Sequence, residues 1–73
     1  MAKISPAEYV IGIFGGLSAT ARAAGVSAAS TVQGWKERGR IPQDYWTTLI
    51  DAAKASGKKV SLADFINEHE VGQ

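Results

Sequence analysis

Apolar residues recur along the chain at helical spacing and are punctuated by glycine and proline, so the pattern predicts a run of short helices with almost no strand signal. Ser5-Pro6-Ala7-Glu8 reads as a helix start. The serine can cap, the proline occupies the first helical position, and the glutamate completes a capping box. Ala7, Val10, Ile11 and Phe14 follow as one amphipathic stripe, which Gly15-Gly16 ends. A second helix is predicted over about 18–24, with Leu17, Ala21 and Ala24 toward the core. Gly25 closes it in the left-handed conformation that costs other residues, and Val26 plugs the core from the turn. The third helix starts within 27–30, where Ser27 can cap directly or Ser30 and Gln33 can form a capping box, and it runs to about Arg38 before Gly39. Ile41-Pro42 opens a fourth helix that carries Tyr45, Trp46, Leu49, Ile50 and Ala53 and ends near Ser56-Gly57. Ser61 caps a fifth, which supplies Leu62, Phe65 and Ile66, and the residues past about His69 are expected to fray.

A chain of 73 residues has room for one core, so the expectation is a single domain over 1–73: an all-α, compact bundle of about five short helices in which helices 2 and 3 form a helix-turn-helix. A core this small leaves only ~3–5 kcal/mol of net stability, and self-association is a common supplement. With no cysteine there is neither a disulfide framework nor a thiolate metal site. The longest apolar stretch, Tyr9 to Leu17, is broken by Gly12, Gly15 and Gly16 and is too short to span a bilayer, and no signal peptide is read at the start. The expected compartment is the cytoplasm.

Net charge is only +1, but its distribution changes the picture. Between Thr20 and Arg40, Arg22, Lys36, Arg38 and Arg40 face the single acid Glu37, while the rest of the chain is net acidic. On a helical wheel of the third helix, Val32 and Trp35 define the inward side, with Ala28 and Gly39 near them. Ser30, Gln33, Gly34 and Glu37 point away, flanked by Ala29, Thr31, Lys36 and Arg38. A small, polar exposed strip is what a recognition helix needs: the backbone can enter the major groove and a few hydrogen-bonding side chains then reach base edges. Gln33 is the leading base reader because its amide can pair bidentately with adenine, and Ser30 can pair with several bases. Ala29, Thr31 and Gly34 lie beside them as further base contacts. Gly34 costs its helix ~1 kcal/mol relative to alanine, which close approach to DNA or close packing within the protein could each explain. Arg22, Lys36, Arg38 and Arg40 sit where phosphates flanking the groove would lie. Glu37 opposes phosphates and is expected to pair with Arg22 or Arg40, or to accept from a cytosine amino group.

Other chemistries lack the residues they need. His69 is the sole histidine, beside Glu68 and Glu70 near an end expected to fray, and no nucleophile-and-base pair, phosphate loop or spaced ligand cluster is present. The chain is therefore not expected to be an enzyme, nor to carry a metal or cofactor. Trp35 and Trp46 fall on apolar stripes, which assigns them to the core rather than to base stacking.

Gly16-Leu17, Ala24-Gly25-Val26-Ser27, Ser30-Thr31-Val32-Gln33-Gly34-Trp35-Lys36 and Arg38-Gly39-Arg40-Ile41-Pro42 together resemble the Cro/repressor (lambda repressor-like) helix-turn-helix family, in its small phage- and prophage-associated subgroup. The resemblance covers about 14–53. One departure is a residue more than usual between Gly25 and Val32, which leaves Ser27, Ala28 and Ser30 as alternative starts of helix 3. The resemblance implies a transcriptional repressor that binds a pseudo-palindromic double-stranded operator as a homodimer, with helix 3 in the major groove. Thr20 and Ser27 join the basic residues as expected phosphate contacts. Leu62, Phe65 and Ile66, apolar and outside the motif, are the expected dimer surface. The competing expectation is a protein–protein module on the same scaffold, such as an antitoxin or a phage-encoded inhibitor.

Overall fold

The helix start at Ser5 forms as its residues dictate in the computed structural model, which describes residues 2–71. α1 spans Pro6–Phe14, with proline in its first turn and Ser5 Oγ accepting from the Glu8 N–H at 3.1 Å. Only that half of the capping box is made. α2 (Leu17–Ala24) and α3 (Ala29–Arg38) follow, joined by a turn over 25–28. A 3₁₀ turn, Gln43–Tyr45, leads into α4 (Trp46–Ala55), and α5 (Leu62–Ile66) completes the helical set.

α1 to α4 end alike. A glycine at positive φ lets the next N–H reach back five residues, as where Val26 donates to the Ala21 carbonyl at 3.0 Å and Arg40 to that of Trp35 at 3.2 Å. These closures satisfy carbonyls that each helix would otherwise leave without partners.

The fold is all-α, five helices around one core with a small two-stranded sheet at the margin. Val10, Val32, Trp35, Ile41 and Leu49 are among its fully enclosed side chains, and α1 contributes the predicted stripe of Ala7, Val10, Ile11 and Phe14. Trp35 packs against Tyr45 with ring centroids 4.8 Å apart, and Trp46 stacks near Phe65 at 5.4 Å. The indole N–H of Trp46 donates to the Ile41 carbonyl at 2.7 Å, which lets a large aromatic side chain be partly buried without an unpaired donor.

Three expectations are corrected. Ile41-Pro42 does not open α4: Ile41 is an enclosed plug, Pro42 is extended, and the helix begins only after the 3₁₀ turn closed by Tyr45 N–H on the Pro42 carbonyl at 3.0 Å. α5 buries Phe65 alone, while Leu62 and Ile66 stand out from the surface. Fraying after His69 is replaced by pairing, since β1 (Ala2–Ile4) and β2 (His69–Val71) form an antiparallel ladder with Ile4 opposite His69. The last two residues, also expected to fray, lie outside the described residues.

His69 is accordingly ordered. Its ring lies flat on Tyr9 of α1, centroids 3.6 Å apart and 8° from parallel, with Nε2 3.1 Å from the Asp64 carbonyl oxygen. The contacts pin the second strand to α1 and α5.

Candidate nucleic-acid interface

Small residues bring α2 and α3 together. Ala21 and Ala24 are buried on α2, which lets Val32 and Trp35 of α3 sit fully inside the core. The pair with its intervening glycine-containing turn has the form of a helix-turn-helix, and α3 also packs against α1. Anchored by those two side chains, α3 must present its opposite side outward.

That outer side is polar. Ser30, Thr31, Gln33, Lys36, Glu37 and Arg38 are exposed, and Ala29 and Gly34 are half-buried. Ser27, Arg22 and Arg40 are exposed as well. Ala28, which the helical wheel put near the core, is exposed and occupies the N-cap position of α3 in extended conformation; no side chain caps this helix. Neither Ser27 nor Ser30 does so, because the extra residue in the turn moves alanine into the capping position.

Gly34 is not required by internal packing. A Cβ added there would meet only the Arg38 guanidinium, at 3.6 Å, which is ordinary contact with the end of a flexible side chain. Its half-burial comes partly from Arg38 lying back along the helix.

Two of the expected site residues are corrected. Thr20 is completely enclosed and its hydroxyl donates to the Gly16 carbonyl at 2.8 Å, so it holds the start of α2 and cannot reach a phosphate. Phe65, 2% exposed, belongs to the monomer core and cannot form a dimer surface, whereas Leu62 and Ile66 are 56% and 61% exposed.

Lys36 and Arg40 lie beside different grooves. Lys36 lines a shallow groove with Gln33 and Glu37 of α3, Leu17 of α2 and Glu8 of α1. Arg40 instead borders a groove of about 420 Å³ beside Pro42, Trp46 and the exposed Ile66. Glu37 pairs with neither Arg22 nor Arg40. The Gln33 amide donates to its Oε2 at 3.4 Å, and among the described residues the ion-pair contact is elsewhere, between His69 and Asp64 at 3.9 Å. Glu8 is the groove residue that sequence reasoning missed, because its spacing from Ser5 pointed to a cap and nothing local shows that α3 passes beside it.

Among the described residues no three metal-ligating side chains converge, and no helix is long and apolar enough to cross a membrane. The chain is an all-α protein in which α3 presents a polar face. Searches of family models, curated proteins and solved structures returned no match.

Proposed function

We propose that the protein is a sequence-specific double-stranded DNA-binding transcriptional regulator, a Cro-like repressor of phage or prophage type acting in the cytoplasm of a bacterial host. α3 lies in the major groove, with Gln33 and Ser30 at base edges beside Ala29, Thr31 and Gly34, and with Arg22, Ser27, Lys36, Arg38 and Arg40 on flanking phosphates. The observation that carries this reading is the exposed polar strip of α3 opposite Val32 and Trp35, containing a glycine that no internal contact requires. The uncapped start of α3 adds support, since free backbone N–H groups at a helix N-terminus favour an anion.

Two copies bind successive major grooves about 34 Å apart on a pseudo-palindromic site. Leu62 and Ile66 supply the dimer contact, being large apolar side chains left uncovered by the monomer.

Selection from random duplex DNA with the purified protein tests the proposal. The expected product is a short, two-fold-related site whose binding weakens steeply with salt. Arg22→Ala lowers affinity alike on every sequence and reduces the salt slope by ~0.9, whereas Gln33→Ala costs ~1–3 kcal/mol on the selected site and relaxes one position. A second reading, a protein–protein module, is favoured by the two carboxylates, Glu8 and Glu37, that line the groove beside α3. Failure to enrich any duplex, with no salt-dependent binding, would select that reading instead.

A further inference from the structure

Gln33 makes one side-chain hydrogen bond among the described residues, and its partner is an acid. Nε2 donates to Glu37 Oε2 at 3.4 Å, one helical turn further along the same exposed face. Glu37 has four basic residues in the surrounding segment and an ion pair with none of them, so the amide is its partner. The sense of that amide follows from chemistry. A carboxylate only accepts, so the amide nitrogen must face it; turning the amide over would set Oε1 against Oε2, two acceptors with no proton between them.

We propose that Glu37 is a positioning residue that makes Gln33 a reader of adenine in preference to guanine. This rests on the reading of α3 as the helix facing DNA. A primary amide has two N–H donors and one oxygen acceptor. In this arrangement the N–H on the Cγ side goes to Glu37, which lies along the same helix. What remains is the outer edge, with one N–H and Oε1 side by side.

Adenine presents an acceptor, N7, next to a donor, its N6 amino group, and that outer edge matches it. Guanine presents two acceptors, N7 and O6, and needs two donors. With one N–H already engaged and the flipped orientation closed off, Gln33 has only one donor for guanine. A neutral glutamine at 37 has no such effect, because its own amide can accept from Gln33 or donate to it and so supports both orientations. The same carboxylate repels phosphates, so it lowers affinity on every sequence while sharpening the choice at one position.

The test measures binding of the full chain, wild type and variants, to the selected duplex and to a copy in which one base pair is changed. The pair is the one whose preference disappears in Gln33→Ala. Wild type is expected to favour A·T over G·C there by roughly tenfold or more. Glu37→Gln preserves side-chain length and leaves melting unchanged, raises affinity on both duplexes, and lowers their ratio several-fold, because the released amide can also offer both donors to guanine. Glu37→Ala does the same to the ratio, which excludes an effect of the new amide itself.

A purely electrostatic glutamate would raise both affinities by one factor and leave the ratio at its wild-type value; that result overturns the assignment and leaves DNA binding intact. Selection of G·C at the Gln33-dependent pair overturns it equally. Absence of binding to any duplex overturns the DNA-facing reading of α3, and this assignment with it.

Discussion

α1 and α3 are helices of nearly the same length that begin in opposite ways. α1 opens with a serine cap and a proline in its first turn and buries Pro6, Ala7, Val10, Ile11 and Phe14. α3 opens on an alanine without a side-chain cap and buries only Val32 and Trp35. One helix has its start fixed by its own residues and its body held by packing. The other is held almost wholly by two side chains on its inner face, which frees its outer face from any structural duty. A surface that serves binding can then be small, polar and uncapped, provided the scaffold beneath it is sound.

The contrast is broken most severely at Trp35. Replacing it by alanine removes half of the inner anchor of α3 together with its contact to Tyr45, at a cost of ~3–5 kcal/mol. Because a core of this size carries a similar total, chemical denaturation should find the variant largely unfolded. A cooperative transition within about 1 kcal/mol of wild type would show that α3 is held by something other than its buried aromatic.

Gly34→Ala sharpens the comparison. It raises the helix propensity of α3, and the new methyl group meets only Arg38 at an ordinary distance, so stability is expected to rise by about 1 kcal/mol. Under the proposed function the same methyl group lies against the groove floor, so duplex affinity falls as the melting temperature rises. A gain in stability with undiminished affinity would remove Gly34 from the interface.

The smallest effect is expected from Ala28→Ser, which gives α3 the cap that α1 already has. Stability increases by roughly 0.5–1 kcal/mol, measured by thermal or urea unfolding. If the bare N–H groups bind a phosphate, the internal cap competes with it and affinity drops uniformly over sequences. Unchanged affinity would separate the uncapped start from phosphate binding.

Much of this was legible in the residues. α1 follows from Ser5-Pro6 and a single apolar stripe, and the glycine closures of the first four helices are local events with local signals. α3's inner side was readable from Val32 and Trp35, because a helix fixes which positions share a face. The Gln33–Glu37 contact had a sequence signal in its spacing, yet Glu37 also had arginines to choose from, and nothing local ranks those partners. The start of α3 was ambiguous for a related reason: two serines competed with an alanine, and the length of the turn decided for the alanine.

The chain by itself specified that five helices form, where the first four end and which side α1 and α3 turn inward, since these depend on residues within one or two turns of one another. Assembly in three dimensions decided which outward candidates stayed outside. Thr20 and Phe65 were enclosed, Leu62 and Ile66 were left uncovered, and Glu8 arrived beside α3. It also joined Ala2–Ile4 and His69–Val71 into a ladder and set His69 upon Tyr9. Those outcomes depend on segments far apart in sequence, and a pattern that repeats every few residues carries no record of what a distant segment will cover.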